Sequence, residues 1–171
     1  MAQFIEEVKD DVEDSLKEKY LTFMIDNQSY CIDIRYVIEI IVVQPITQVP
    51  ELPEYIKGII NLRGKVIPVL DVRLRFNKEE RPYDDKTCFV VVDVAGNSVG
   101  IIVDEVEEVM EIKDENIAQP PSFSKNGSSR YVKGIGKVGE EVKLVLDCQK
   151  LLSDDEIEEL VSITETQSRA V

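Results

Sequence analysis

The sequence predicts an all-β protein with short helices, built as a sandwich or as small barrels. Three observations carry this. The apolar runs are short and recur at regular spacing, several alternate with period two, and hairpin-type turn residues separate them. At 171 residues, 43% of them hydrophobic, the chain suffices for one ordinary domain or for two small barrels sharing a core. No solenoid-type repeat is evident.

The elements follow in order. Residues 1–18 are acidic, with Ile5, Val8, Val12 and Leu16 at helical spacing, which predicts an amphipathic helix or a frayed tail. Core docking and partner binding are both open for it. From Tyr20 the period becomes two, predicting a strand over 20–25, turn residues over 26–29 and a returning strand over 30–34. The stretch 35–41 suits a helical turn or a strand, and Glu39 interrupts its apolar series. Pro45, Pro50 and Pro53 mark a non-helical connection, after which a short helix ending at Gly58 is expected. Residues 58–76 predict strand, tight turn, strand, then a short basic helix or loop. A charged linker with Pro82 follows over 77–86. Strands over 88–94 and 99–103 flank Gly96-Asn97, a strong hairpin signal. Pro120-Pro121 and residues 122–129 make the longest loop. A last hairpin turns at Gly139-Glu140, and the glycines of its first strand suit the tight bends of a barrel. Ser153-Asp154-Asp155-Glu156 is a capping box that opens a terminal helix with Ile157, Leu160 and Val161 on one face. The tail after Ile163 is expected to be disordered.

Composition removes several function classes. A net charge of −14 opposes general nucleic-acid binding, because most of the surface would repel phosphate. The chain has no histidine, which removes the commonest general base and excludes Ser-His or Cys-His catalysis. Cys31, Cys88 and Cys148 lie in separate apolar contexts, with no CxxC pair, and read as reduced thiols packed as small hydrophobes. No run approaches the ~18 apolar residues of a membrane span, and the N-terminus lacks a signal-peptide pattern. A cytoplasmic location without membrane insertion is expected.

Chemistry-bearing motifs are weak. Gly134-Ile135-Gly136 alone does not make a phosphate loop. Asp71, Asp93 and Asp104 end apolar runs, where acids commonly hold turns. The acidic stretch 104–115 lacks calcium-loop spacing. No enzyme, cofactor or metal is expected. One local feature departs from the acidic background. Lys57, Arg63, Lys65, Arg73, Arg75 and Lys78 form a basic island, with Asp71 among them. This keeps a second reading open, a small barrel binding a ligand or nucleic acid through residues 57–78 and Phe76.

The segment Gly58-Ile59-Ile60-Asn61-Leu62-Arg63-Gly64-Lys65-Val66-Ile67-Pro68-Val69-Leu70-Asp71-Val72-Arg73 resembles the hallmark of CheW-like domains, the domain type of bacterial chemotaxis coupling proteins. Tyr30-Cys31-Ile32-Asp33-Ile34, the run 37–40, the run 100–109, Gly134-Ile135-Gly136-Lys137, and the stretches 144–147 and 151–152 match further landmarks in the right order. The resemblance covers roughly residues 18–162, leaving 1–17 as an acidic helix or tail and 163–171 as a tail. It implies two small interleaved five-stranded β-barrels sharing a core, plus a C-terminal helix. It implies a non-enzymatic adaptor that links chemoreceptor cytoplasmic tips to the histidine kinase CheA in membrane-associated arrays, with other coupling-protein copies as possible neighbours. Because no further domain flanks the match, the stand-alone coupling protein is the expected form. By the same resemblance a receptor-facing groove comprises Val37, Glu39, Gly58, Arg63, Val106 and Val109, with Cys88 bordering it. Glu39 would pair with a receptor cation or polar group, and Arg63 with a receptor carboxylate or helix-end carbonyl. Each has a structural competitor: the valines as core, the glycine as backbone geometry, Arg63 as a cap on strand-end carbonyls. The kinase-facing residues are left unassigned.

Overall fold

Alternating apolar runs become strands wherever turn residues let the chain reverse. The structure is a computed structural model that describes residues 14–120 and 130–169. The predicted helix positions Ile5, Val8 and Val12 and the loop 122–129 lie outside the described residues. The strands are β1 (Lys19–Ile25), β2 (Gln28–Asp33), β3 (Val37–Val42), β4 (Ile56–Leu62), β5 (Lys65–Asp71), β6 (Cys88–Val94), β7 (Asn97–Val103), β8 (Glu105–Glu111), β9 (Ile117–Ala118), β10 (Val132–Val138) and β11 (Glu141–Leu146). Helix α1 (Val72–Arg75) follows β5, and α2 (Asp154–Arg169) closes the chain. The architecture is thus all-β with short helices and a C-terminal helix.

Three local expectations change. No helix follows Pro53; β4 starts at Ile56 and runs through Gly58, because the backbone there is needed for pairing with β5. Residues 34–41 resolve into both alternatives, a 3₁₀ turn over Ile34–Tyr36 and then β3. Helix α2 continues past Ile163 to Arg169, since no glycine or proline interrupts it. Its capping box forms as read: the Ser153 amide donates to Glu156 Oε1 at 3.0 Å and the Glu156 amide to Ser153 Oγ at 3.2 Å.

Two sheets result, in the orders β8-β1-β2-β11-β10-β9 and β3-β6-β7-β5-β4. Strand pairing alone leaves both open, so neither is a barrel closed by a continuous ladder. Each gap is spanned by one stretch of chain that pairs with both edges. In the second sheet β3 pairs with β6, and the chain then bends so that Thr47 bridges Ile59 of β4. In the first, β8 pairs with β1 and leads through residues 112–116 into β9, which pairs with β10. Counting each bent stretch as one strand gives the five expected per barrel. Each sheet curls over its own small cluster: Tyr20, Cys31, Ile112 and Val145 in the first, Ile60, Ile67, Val69, Phe89, Val91 and Ile102 in the second. A larger shared core joins them, with Leu21, Phe23, Val90, Val92 and Leu146 among its members. Rings of Phe23, Tyr30, Phe76 and Tyr131 form a chain through it, with successive centroids 6.3, 5.5 and 5.2 Å apart.

The two barrels are built on one plan. Tyr55-Ile56-Lys57-Gly58-Ile59 corresponds to Tyr131-Val132-Lys133-Gly134-Ile135, and Val69-Leu70-Asp71 to Val145-Leu146-Asp147. The register agrees: Gly58 faces Val69 and Gly134 faces Val145, each after a bulge. The Asp71 amide donates to the Tyr55 carbonyl at 2.8 Å, and the Asp147 amide to the Tyr131 carbonyl at 2.7 Å. Strands β1, β2 and β3 correspond in the same way to β6, β7 and β8, with Val37 opposite Val92 matching Val106 opposite Phe23. The repeats exchange their first hairpins: β1-β2 completes the barrel of β8–β11, and β6-β7 completes that of β3–β5. Such interleaving makes the shared core obligatory, since neither repeat completes a barrel alone.

Candidate functional site

The exposed apolar side chains are concentrated on two corresponding strands. Ile38, Ile40 and Val42 of β3 are 52%, 44% and 78% exposed, and Val109 of β8 is 53% exposed. Register explains their position. Ile40 lies opposite Val90 and Val42 opposite Cys88, while Val106 and Val109 lie opposite Phe23 and Leu21. Directly paired residues share a sheet face, and Val90, Leu21 and Phe23 belong to the shared core. The edge strands therefore carry that core outward to the surface. Val37, Cys88 and Val106 are half-buried against it. The Cys88 thiol donates to the Lys86 carbonyl at 3.5 Å, and burial raises its pKa while the nearby Val106 backbone amide opposes that rise. Val37, Cys88, Val106 and Val109 thus share the boundary between the barrels, with Ile40 and Val42 as apolar walls.

Glu39 and Arg63 form a second part. Glu39 sits in the β3 bulge and Arg63 in the β4–β5 turn at φ 51°. The Arg63 guanidinium donates to Glu39 Oε1, so each charge flagged in the sequence finds the other. The contact crosses the gap between the two edge strands of the second barrel, at the opposite end from the Thr47–Ile59 bridge. Arg63 remains 73% exposed and Glu39 24%. Gly58 belongs to this seam rather than to the groove wall. At φ +146°, a Cβ there would lie 2.1 Å from the Thr47 carbonyl oxygen, so the crossing requires glycine.

The remaining basic island is consumed internally. Arg73 donates from Nε and a terminal nitrogen to the two Asp104 oxygens at 2.8 and 2.7 Å, with Asp26 at 3.6 Å. Burial alone would raise the Asp104 carboxyl; the Arg73 guanidinium overcomes this and holds it below the usual carboxylate range. Lys57 pairs with Glu80, Lys78 with Asp26, and Lys65 bonds Ser98. Arg75 pairs with Glu156 at 3.2 Å and lies 4.1 Å over the Tyr55 ring. Phe76 is buried in the core. The nucleic-acid reading of residues 57–78 therefore keeps Lys65 outside any ion pair among the described residues and Arg63 exposed, but most of its cations are paired and it lacks the exposed ring it needs.

The strand-end acids have structural work. Asp71 accepts from the Arg73 and Leu74 amides and from the Tyr83 hydroxyl at 2.8 Å, and burial raises its pKa. Asp93 accepts from the Gly96 amide at 2.8 Å. Cys31 and Cys148 are buried, which pushes their thiols to about 12 and about 11.

Sequence reasoning missed Ile38, Ile40 and Val42 as candidates, because the run 37–43 is apolar apart from Glu39 and looks like core. It also missed the Glu39–Arg63 pairing. The signal available was Glu39 itself, a carboxylate in an apolar strand that needs a partner.

Comparison with known proteins follows this geometry. The CheW-like domain model matches residues 19–156. The chain is 34% identical over 144 residues to a chemotaxis protein CheW of Klebsiella aerogenes, covering 84% of this chain and 87% of that one. It is 31% identical over 138 residues to a chemotaxis protein CheW of Helicobacter pylori, covering 80% and 82%. The crystal structure of scaffolding protein TtCheW from Thermoanaerobacter tengcongensis superposes with a TM-score of 0.75 at 34% identity, covering 81% of this chain and 94% of that one. With the interleaved barrels and the signature segment in place, the chain belongs to the CheW-like domain family.

Proposed function

We propose that this protein is a non-enzymatic coupling adaptor that joins chemoreceptor cytoplasmic tips to the histidine kinase CheA in signalling arrays. One observation carries the reading: four large apolar side chains, Ile38, Ile40, Val42 and Val109, stand exposed on the edge strands β3 and β8. A helical receptor tip buries its apolar face in such a groove, and flanking charges fix its register. Val37, Cys88 and Val106 form the floor, and Ile40, Val42 and Val109 the walls. Arg63, exposed despite its bond to Glu39, exchanges that contact for a receptor carboxylate, which leaves Glu39 for a receptor cation. Gly58 contributes by holding the seam on which this pair depends. The kinase docks barrel against barrel elsewhere, and other copies of the adaptor occupy neighbouring array positions. The protein works in the cytoplasm and reaches the membrane through its receptors; no helix among the described residues is long and apolar enough to cross one.

The test is an amide NMR titration with a soluble receptor-tip fragment, beside an Arg63→Glu variant. Shifts clustered at Val37, Glu39, Arg63 and Val109, and lost in the folded variant, are expected. A folded parent protein that shows no shifts contradicts the receptor role.

A further inference from the structure

The two barrels share one plan, so a residue present in one seam and missing from the other is informative. In the second barrel Glu39 of β3 is neutralised by Arg63 of the β4–β5 turn. The corresponding residue on β8 is Glu108: Ile40 opposite Val90 matches Val109 opposite Leu21, and Glu39 opposite Val91 matches Glu108 beside Thr22. The position corresponding to Arg63 is Gly139, reached by the same count from Gly134 as Arg63 from Gly58. Gly139 has no side chain to offer, and its surroundings are open, with nothing within 4 Å of a built Cβ.

Glu108 therefore keeps the carboxylate and lacks the cation. Its backbone is fixed on both sides by Thr22, whose hydroxyl donates to the Glu108 carbonyl at 2.8 Å and accepts from its amide at 3.1 Å. Its side chain is exposed and, among the described residues, has no ion pair. Of the other acids of β8, Glu107 accepts from Ser29 at 2.8 Å and lies 3.8 Å from Lys143, and Glu111 pairs with Lys19 at 3.1 Å; Glu105 shares the lack of an ion pair but sits at the strand's end, opposite Met24. Glu108 lies between Val106 and Val109 along β8 but is held beside Thr22 rather than beside Leu21 or Phe23, so it borders the groove at the sheet edge without sharing the face of the two valines.

We propose that Glu108 is a specificity carboxylate of the groove, and that the docking helix brings it a lysine or arginine next to its apolar face. This rests on the docking reading above and adds the chemistry of the occupant. Before docking, Arg63 supplies Glu39 its cation in cis, whereas Glu108 has none until the partner brings one in trans. A carboxylate held on a rigid bulge beside apolar surface discriminates well, because a helix presenting an acid there meets like-charge repulsion.

The experiment is isothermal titration of the full chain with a soluble receptor-tip fragment, comparing the parent protein with Glu108→Gln, Glu108→Lys and Glu158→Lys, the last on the exposed face of α2. Glu108→Gln is expected to weaken binding about fivefold and Glu108→Lys at least about tenfold, while Glu158→Lys binds as the parent does. Changing the fragment's basic residues to Glu one at a time should find one change that restores binding to Glu108→Lys. If both Glu108 variants, folded by their amide spectra, bind within about twofold of the parent, the inference is overturned while the docking reading stands. If the parent itself does not bind, the docking reading fails and takes this inference with it.

Discussion

The two barrels differ least in their backbone plan and most at the turns and rims of their open edges. Both bend one stretch of chain across an open sheet, and both use a glycine where that stretch crosses. Gly58 faces the Thr47 carbonyl oxygen at 2.1 Å, a backbone atom, whereas Gly134 faces the Ile117 Cγ2 methyl at 2.7 Å, a side-chain atom on a β-branch. Both place valines and a glutamate on the bent strand, yet one seam carries Arg63 and the other Gly139. The backbone plan is shared because curling each sheet into a barrel demands it; the rim is free to diverge, and the proposed docking face lies there.

The glycine contrast gives the largest expected effect. Gly58→Ala should destabilise by at least about 4 kcal/mol and prevent folding, because a positive-φ strain adds to a backbone clash. Gly134→Ala, at the corresponding position, should cost only about 1–2 kcal/mol as Ile117 shifts. Urea unfolding of both decides; equal losses would break the distinction between the seams.

Arg73→Ala comes next, at about 3 kcal/mol, since it leaves Asp104 with only Arg81 at 3.8 Å as a cation, at a site where the Arg73 and Asp104 side chains are only 11% and 14% exposed. The pH dependence has a definite sign. The Asp104 carboxyl is held below its unfolded value, so its contribution is present above the ordinary carboxylate range and lost as pH falls through the lowered one. The stability gap between parent and Arg73→Ala should therefore shrink on acidification. A constant gap would show that the ion pair is not its source.

Ser153→Ala removes one half of the α2 capping box and should cost about 1 kcal/mol, visible in thermal unfolding. Arg63→Ala should be the mildest, below about 1 kcal/mol, because its partner contact is largely solvated. A loss as large as that of Arg73→Ala would make Arg63 a folding residue and weaken its role in docking.

Much of the fold is legible locally, and the failures have a common cause. Period-two runs and turn residues mark the hairpins, because a short reversal is encoded by the residues that make it. The reversals fall at Asp26-Asn27, Arg63-Gly64, Gly139-Glu140 and Ala95-Gly96, the last one residue earlier than the Gly96-Asn97 expected, since Asn97 already pairs with Val94. The exchange of hairpins between repeats is not local: which strand receives β2 depends on β11, more than a hundred residues away, with no turn chemistry to announce it. The same applies at the site. Glu39 and Arg63 were each conspicuous, but their union needs the seam that Thr47 and Gly58 create. Ile40 and Val42 look like core until β3 proves to be an edge strand. Gly58 reads as a helix stop because a glycine after proline commonly is one, and only the crossing chain reveals its purpose.

The claim that the β3–β8 surface is the docking face is tested most directly by matched charge insertions on the two barrels. Val42→Glu alters the 78%-exposed wall of the groove, and Val142→Glu a 47%-exposed valine on β11 that is not among the groove residues. Titration of both folded variants with a soluble receptor-tip fragment should show binding weakened at least about tenfold by Val42→Glu and unchanged by Val142→Glu. Unchanged binding by Val42→Glu, or loss confined to Val142→Glu, would contradict the assignment of the groove.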